Sequence, residues 1–410
     1  NKDLSSDDLN AAVQLTIDRV VFLRMAEDRG LESFEQLLGL SQQADVYPNF
    51  MKLCRRADEK YNSGLFHFQK ESGVSEAPDR ITPRLSVDDK VFRPILQSLY
   101  FQHGSPYHFG VLPVEILGTV YERFLGKVIR LTPTHQAKIE EKPEVRKAGG
   151  VYYTPAYIVE YIVQHTVGRQ IEGKSPAQLA GKGKGLGKEP FRVLDMACGS
   201  GSFLLGAYQC LLDHCLKWYL DNGPEKFPKA VCAAGENGWR LTIAEKKRIL
   251  TTHLFGVDID PQAVEVSKLS LLLKVLEGES DQTVGNTLRL FHERALPNLA
   301  ENIQCGNSLI GPDYFTGKLI PDAEEMKRVN PFDWAQAFPD VFPRGTGVPP
   351  VRDGGVSPRR EKEHGQDGRA THGQDAHATA GGFDCIIGNP PYIRIQTMKE
   401  WAPLEVEIYK

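Results

Sequence analysis

From about residue 149 the sequence alternates short apolar runs with longer helical patterns. Four apolar runs predict strands, at 191–197, 253–259, 302–309 and 383–388. Two longer segments between them predict helices, at 202–220 and 261–278. A strand–helix–strand order needs crossover connections, which set successive strands parallel to one another. The sequence therefore predicts an α/β domain built on a Rossmann-like, doubly wound, mostly parallel sheet.

The first 148 residues follow another pattern, in which apolar residues recur at helical spacing. One stripe consists of Leu9, Ala12, Val13, Ile17, Val20 and Leu23. Ser5 or Ser6 can cap the start of this helix and Gly30 can close its end. A second stripe lies within 114–127. We interpret both as core packing and predict a helical domain over 1–148, followed by an α/β domain over 149–410.

Residues 344–382 interrupt the α/β pattern. They contain HGQDGRAT (364–371) followed at once by HGQDAHAT (372–379), and almost no large apolar side chains. Such a segment cannot bury enough surface to offset the entropy lost on ordering. The sequence predicts a disordered surface insertion here.

Composition excludes several classes of protein. No apolar run approaches the roughly 20 residues of a membrane span, and the first ten residues are too polar for a signal peptide. The seven cysteines are scattered without a C-x-x-C pair, so neither a disulfide framework nor a metal site is expected, and the cytoplasm is the predicted location. The net charge of −4 does not by itself indicate a polyanionic partner. Because the first residue is not Met, we expect a fragment of a longer protein.

The segment DMACGSGSF (195–203) follows the first predicted strand. Gly199 and Gly201 allow the backbone to approach a ligand closely, and the next helix offers free N–H groups. The dinucleotide fingerprint G-x-G-x-x-G would require glycine where Leu204 stands, which disfavours a pyrophosphate-binding oxidoreductase. Asp195 beside this turn suits a cationic ligand.

Polar side chains also follow the next two strands. An acidic residue at the position of Asp258 can accept both hydroxyls of a ribose, whereas Asp260, just before Pro261, is better explained as a helix N-cap. Asn307 carries a donor and an acceptor suited to the edge of an adenine ring, although a simple turn explains it equally well.

The fourth strand ends in Asn389, Pro390, Pro391 and Tyr392. The Asn389 side-chain oxygen and the Pro390 carbonyl can converge on the two hydrogens of an exocyclic amino group. Tyr392 offers an aromatic face on which a planar base can stack. A proline-rich turn is the structural alternative, but the motif after a strand and downstream of an acidic glycine turn favours a base-binding pocket.

Together these motifs resemble those of S-adenosylmethionine-dependent adenine-N6 DNA methyltransferases in which the cofactor motifs precede N-P-P-Y. The segment GGVYYTPAYIVEYIV (149–163) resembles the first cofactor motif of that family. The resemblance implies a methyltransferase sheet whose cofactor-binding residues are Thr154 for the carboxylate, Asp195, Gly199 and Gly201 for the methionine part, Asp258 for the ribose and Asn307 for the adenine. It also implies that the target base is held by Asn389, Pro390 and Tyr392.

The helical region resembles the connector of single-chain, type IIG restriction–modification enzymes, chiefly in RVVFLRMAEDRG (19–30) and LGTVYERFLGK (117–127). This resemblance implies double-stranded DNA as partner, with a nuclease domain before the connector and a target-recognition domain after the methylase. The α/β domain is then expected to be incomplete at its C-terminal end. Two departures stand out: Asn307 replaces an Asp common in the family, and no nuclease motif precedes the connector.

The predicted reaction transfers a methyl group from S-adenosylmethionine to the N6 amino group of a flipped-out adenine in DNA, in a restriction–modification or phage-defence system. Two alternatives stay open. N-P-P-Y also serves enzymes that methylate a protein glutamine or an RNA base, and the chain could be a catalytically silent nucleic-acid-binding module.

Overall fold

The computed structural model describes most of the chain. The described residues are 4–61, 64–70, 78–102, 105–106, 108–111, 114, 127–132, 134, 136–141, 154–182, 189–235, 238–281, 283–284, 295–316, 323–342 and 382–390. The predicted insertion at 344–382, apart from Gly382, and almost all of the second helical stripe lie outside them. Both stay predictions.

The helices are α1 (Ser6–Asp28), α2 (Gln36–Ser41), α3 (Val46–Tyr61), α4 (Asp89–Ser98), α5 (Ala156–Val163), α6 (Arg169–Ile171), α7 (Pro176–Leu179), α8 (Ser202–Asp221), α9 (Ile243–His253), α10 (Pro261–Val275), α11 (Ala323–Val329) and α12 (Trp334–Ala337). The strands are β1 (Phe101–Gln102), β2 (Ser105–Pro106), β3 (Lys127–Leu131), β4 (Ala137–Glu141), β5 (Val193–Asp195), β6 (Val231–Ala234), β7 (Gly238–Leu241), β8 (Leu254–Asp258), β9 (Ile303–Cys305) and β10 (Cys385–Ile387). No helix among these described residues is long and apolar enough to cross a bilayer.

Four strands form the central sheet in the order β10-β5-β8-β9. All three pairings are parallel, with Ile387 opposite Asp195 and Asp258 opposite Cys305. The strand order reverses at β5. β8 and β9 follow β5 on one side, whereas β10, the last strand in the chain, pairs with its other side. The sheet confirms the predicted Rossmann-like α/β fold, and the reversal between β10 and β5 is where such sheets bind ligands.

Both faces of the two central strands, β5 and β8, are covered. On one face Val193, Leu254 and Ile387 join the large apolar core that includes α8 and α10. On the other face Leu194 and Phe255 pack with a smaller cluster, whose further members are Val257, Phe332, Phe338 and Val341. Strands buried on both faces read as continuous apolar runs, which is why the sequence revealed them.

The start of α1 follows the sequence prediction. Ser5 is the N-cap, its side chain accepts from Asp8 N, and the Asp8 side chain accepts from Ser5 N in a capping box. The predicted apolar stripe is wrong at Ile17, which is 40% exposed. Arg19 is buried instead, because it pairs with Asp79 and donates to Leu65 O.

The helical region packs directly against α10 of the sheet domain. Arg29 Nη1 donates to Leu273 O at 3.0 Å, and Lys60 Nζ pairs with Asp281 at 2.9 Å. One apolar cluster runs without interruption from Val20 to Ile387. The predicted boundary at 148/149 falls between described segments and stays a prediction.

Three antiparallel strand pairs were not anticipated from the sequence. β1 pairs with β2 and β3 pairs with β4 inside the region predicted to be helical, and β6 pairs with β7 between α8 and α9. Together with α8 and α9, the pair of β6 and β7 fills the long stretch between Asp195 and Asp258.

Candidate active site

The predicted site residues converge at one edge of the sheet. Asp195, Asp258 and Asn389 lie at or just beyond the C-terminal ends of β5, β8 and β10, while Asn307 follows β9. Because the four strands are parallel, these ends form a single rim.

The glycine turn joins β5 to α8. Gly199 and Gly201 have φ angles of +53° and +88°, a left-handed conformation that favours glycine. A Cβ on Gly201 would stand 3.0 Å from Ser267 Oγ. Ser267 Oγ in turn donates to Gly199 O at 2.7 Å. The turn is therefore pressed against α10 and leaves no room for a side chain at Gly201.

Asp258 ties the glycine turn to the neighbouring strand. Its Oδ2 accepts from Gly199 N at 2.8 Å and its Oδ1 accepts from Asp260 N at 2.9 Å. These two bonds hold the carboxylate beside the turn. Asp260 caps α10 by accepting from Gln262 N, which confirms the predicted N-cap.

Asp195 is a buried carboxyl group at the centre of the rim. It is 1% exposed, and Ala197 N donates to its Oδ1 at 3.1 Å. The pKa of Asp195 is raised to about 7, chiefly by burial and also by the negative charge of Asp258, against the lowering effect of the Ala197 bond. A cationic group placed here would favour the ionised form.

The tip of β10 lies against this carboxyl group. A Cβ on Gly388 would stand 2.5 Å from Asp195 Oδ1, so only glycine fits between the two strand ends. The next residue, Asn389, is half-buried, and its Nδ2 donates to Thr154 Oγ1 at 3.0 Å. Thr154, Asp195 and Asn389 are thus brought together from three distant parts of the chain.

Asn307 lies on the far side of the rim from Asn389, next to Asp258. Gly306 N donates to Asp258 O at 2.8 Å, and the Asn307 side-chain oxygen accepts from Leu309 N at 3.1 Å. The oxygen therefore supports a local turn, and its predicted contact with adenine stays a prediction. Pro390 is exposed, and Tyr392 lies outside the described residues.

The sequence analysis missed two apolar side chains at this rim. Ile259 and Leu309 are 50% and 62% exposed, one directly after Asp258 and the other two residues after Asn307. Cys305 Sγ contacts Ile259 O at 3.7 Å, which joins the loops that carry them. An apolar residue directly after a strand-end carboxylate is a signal that the sequence already contained. Such side chains offer faces for a planar ring.

Two family models and several known proteins match this chain. The model of the family "N-6 DNA Methylase" matches residues 114–300, and that of "Eco57I restriction-modification methylase" matches residues 252–410. The type II restriction enzyme and methyltransferase RM.Eco57I of Escherichia coli is 31% identical over 408 residues, which is 100% of this chain and 33% of that protein.

The chain belongs to the adenine-N6 DNA methylase family. Its resemblance to the methylase of type IIG enzymes is thereby confirmed.

Three further proteins resemble this methylase chain at lower sequence identity. A putative type II restriction enzyme and methyltransferase of Methanocaldococcus jannaschii, RM.MjaORFECS2P, is 22% identical over 72% of this chain and 27% of that protein. The adenine-specific methyltransferase BrxX of Escherichia coli O9:H4 is 29% identical over 43% of this chain and 14% of that protein. The DNA complex of the type IIL restriction–modification enzyme MmeI superposes with a TM-score of 0.41 at 14% identity, covering 73% of this chain and 37% of that one. The chain spans about a third or less of the length of these curated relatives.

Proposed function

We propose that this methylase chain transfers a methyl group from S-adenosylmethionine to the N6 amino group of adenine in DNA. The observation that carries the proposal is the contact between the tip of β10 and the end of β5. It sets Asn389 beside Asp195 and the glycine turn, so a base held by Asn389 would face a cofactor held by the turn. Bringing the two reactants together is a large part of such catalysis.

The residues of the rim fit the proposed cofactor. Asp195 is a buried carboxyl group whose pKa is raised by burial and by the charge of Asp258, and the ammonium of a methionine moiety would favour its ionised form. Asp258 would accept from the ribose hydroxyls, and Ile259 and Leu309 would flank the adenine ring. When bound, the cofactor supplies a methyl group on a positively charged sulfur, which is a strong electrophile.

The chain's own contribution to the chemistry would come from Asn389 and Pro390. The amino nitrogen of adenine is a poor nucleophile because its lone pair is delocalised into the ring. Two acceptors on its hydrogens, the Asn389 oxygen and the Pro390 carbonyl, would draw the nitrogen toward a tetrahedral shape and free the lone pair. Their interaction strengthens toward the transition state, which is the condition for raising the rate. Tyr392 would stack on the base, which must leave the duplex to reach this pocket.

The proposal also covers the biological role, the partner and the location of the protein. RM.Eco57I is named as both a restriction enzyme and a methyltransferase, which supports a role in restriction–modification or phage defence. We accordingly propose double-stranded DNA as the partner and the cytoplasm as the location. We also propose that the full-length polypeptide carries nuclease and target-recognition domains.

Sequencing of modified bases in a host that carries the protein tests this function. We expect N6-methyladenine in one short sequence context, and its absence in a host carrying Asn389→Ala. Methylation confined to RNA or to protein glutamine would replace the DNA substrate with one of those. No methylation together with no calorimetric binding of S-adenosylmethionine would favour a silent binding module.

A further inference from the structure

The structure joins two residues that the family resemblance assigns to different ligands. Asn389 Nδ2 donates to Thr154 Oγ1 at 3.0 Å, across 235 residues of sequence. We propose that Thr154 is a positioning residue for Asn389, and that its hydroxyl holds the amide with the oxygen toward the target amino group. The inference rests on the proposed function and deepens it.

The orientation of the Asn389 amide decides whether it can act. One end of the amide is an acceptor and the other carries two donors. The hydrogens of an adenine amino group are donors, so only the oxygen end of the Asn389 amide can accept hydrogen bonds from them. An amide turned by 180° would place its own NH₂ donors against the donors of the adenine. In this structure Thr154 accepts from the nitrogen end, which leaves the oxygen end for the target amino group.

Thr154 lies two residues before α5, a helix that packs on α8. It precedes Pro155, the N-cap of α5, whose carbonyl accepts from Ile158 N at 2.9 Å. α5 packs closely on α8, since a Cβ on Gly206 would stand 2.8 Å from Val159 Cγ1. A positioning hydroxyl on such a support holds its partner more precisely than one on a loop.

The hydroxyl also links this amide to the cofactor. A threonine hydroxyl has one hydrogen to donate and two lone pairs to accept. If it accepts from Asn389, its hydrogen is directed to another acceptor, and a carboxylate is the strongest available kind. A cofactor carboxylate that takes this hydrogen would keep the hydroxyl an acceptor toward Asn389. Cofactor occupancy and amide orientation would therefore reinforce each other.

Kinetics of substituted full-length protein test the positioning role. At saturating cofactor and DNA we expect Thr154→Val to lower kcat about tenfold, the worth of one hydrogen bond, with little change in KM for DNA. Thr154→Ser keeps the hydroxyl and should restore kcat to within about twofold. Thr251→Val is the matched control, because the Thr251 hydroxyl donates to Lys247 O at 3.0 Å within α9, a helix that carries no residue of the rim. An unchanged kcat in Thr154→Val, or an equal loss in Thr154→Ser, would overturn the proposal.

A second readout does not depend on turnover. The side-chain ¹⁵NH₂ signal of Asn389, identified by its loss in Asn389→Ala, should shift when S-adenosylhomocysteine is titrated into the protein, and the shift should shrink in Thr154→Val but not in Thr154→Ser. An identical shift in all three proteins would refute the link. If the wild-type protein methylates no DNA, the proposed function fails, and this titration still decides whether Thr154 holds Asn389.

Discussion

Gly388 lies against the carboxyl group of Asp195, so closely that a Cβ on Gly388 would stand 2.5 Å from Asp195 Oδ1 and 3.3 Å from Asp195 Cγ. Ile387 is the register partner of Asp195, so this contact is set by the pairing of β10 with β5. The contact fixes the distance between the proposed base-binding tip and the proposed cofactor carboxylate. It also makes glycine a requirement at this position.

Gly388→Ala should push the tip of β10 away from Asp195. We expect methyl transfer to fall about 100-fold, because a displacement of about 1 Å at a reacting centre has that effect. The free energy of unfolding should fall by about 1–3 kcal/mol from overpacking. Gly382→Ala is the control, since no atom of the described residues lies within 4 Å of its added Cβ. Wild-type rates in Gly388→Ala would show that the contact does not position the tip.

Cofactor binding should depend on pH through Asp195. Burial raises the pKa of this carboxyl group to about 7 in the free protein. An ammonium ligand needs the ionised form, so the Kd for S-adenosylhomocysteine should fall as the pH rises from about 5.5 to 7.5, by up to about tenfold per unit below the pKa. Calorimetry across this range measures the effect.

The Asp195 carboxyl group should affect stability in the opposite direction, so that a rise in pH favours cofactor binding but lowers stability. Because the folded protein holds the Asp195 proton up to about pH 7 and the unfolded chain releases it near 3.8, the free energy of unfolding should fall as the pH rises between these values. Asp195→Asn should remove both the pH dependence of the Kd and the pH dependence of the free energy of unfolding. A Kd that varies with pH equally in Asp195→Asn would assign the dependence to another group.

The helical region should depend on the buried pair of Arg19 and Asp79. Arg19 Nη1 lies 2.9 Å from Asp79 Oδ2, with 1% and 8% of the two side chains exposed. Arg19→Met leaves Asp79 buried without its partner, and should cost about 3–5 kcal/mol in urea denaturation. Arg130→Met, from an exposed pair with Glu140 at 3.2 Å, is the control and should cost about 1 kcal/mol or less.

Acid should weaken the same pair. Burial opposes ionisation of Asp79, yet Arg19 and the bonds from Thr82 lower the pKa of Asp79 below 3.8. The stabilisation is therefore complete above pH 3.8 and is lost as the pH falls through the lowered pKa. Arg19→Met should flatten this acid dependence, and an unchanged profile would contradict the role of the pair.

The sheet and its rim were predictable because their signals are local. Strands such as β5 and β8 are buried on both faces and read as apolar runs, and each ends in a carboxylate that the sequence displays. The hairpin of β3 and β4 was not predicted, because its exposed residues, among them Ile139, carry no buried face. Ile17 was misplaced because helical spacing does not reveal that Arg19 has a buried carboxylate partner.

The contacts that define the site are long-range and lie beyond what sequence spacing can give. The bond between Thr154 and Asn389 joins residues from opposite ends of the methylase region, and the contact of Gly388 with Asp195 depends on strand register. The sequence identified Thr154, Asp195 and Asn389 separately. It assigned Thr154 to the cofactor alone, because no local pattern connects it to Asn389.

The account rests on Asn389 acting on the target base rather than on the cofactor. The most direct test measures, in one preparation of Asn389→Ala, both methyl transfer to DNA and the calorimetric Kd for S-adenosylhomocysteine. We predict that methyl transfer is abolished while the Kd stays within about threefold of wild type. A parallel loss of both, or retained methyl transfer, would contradict the central claim.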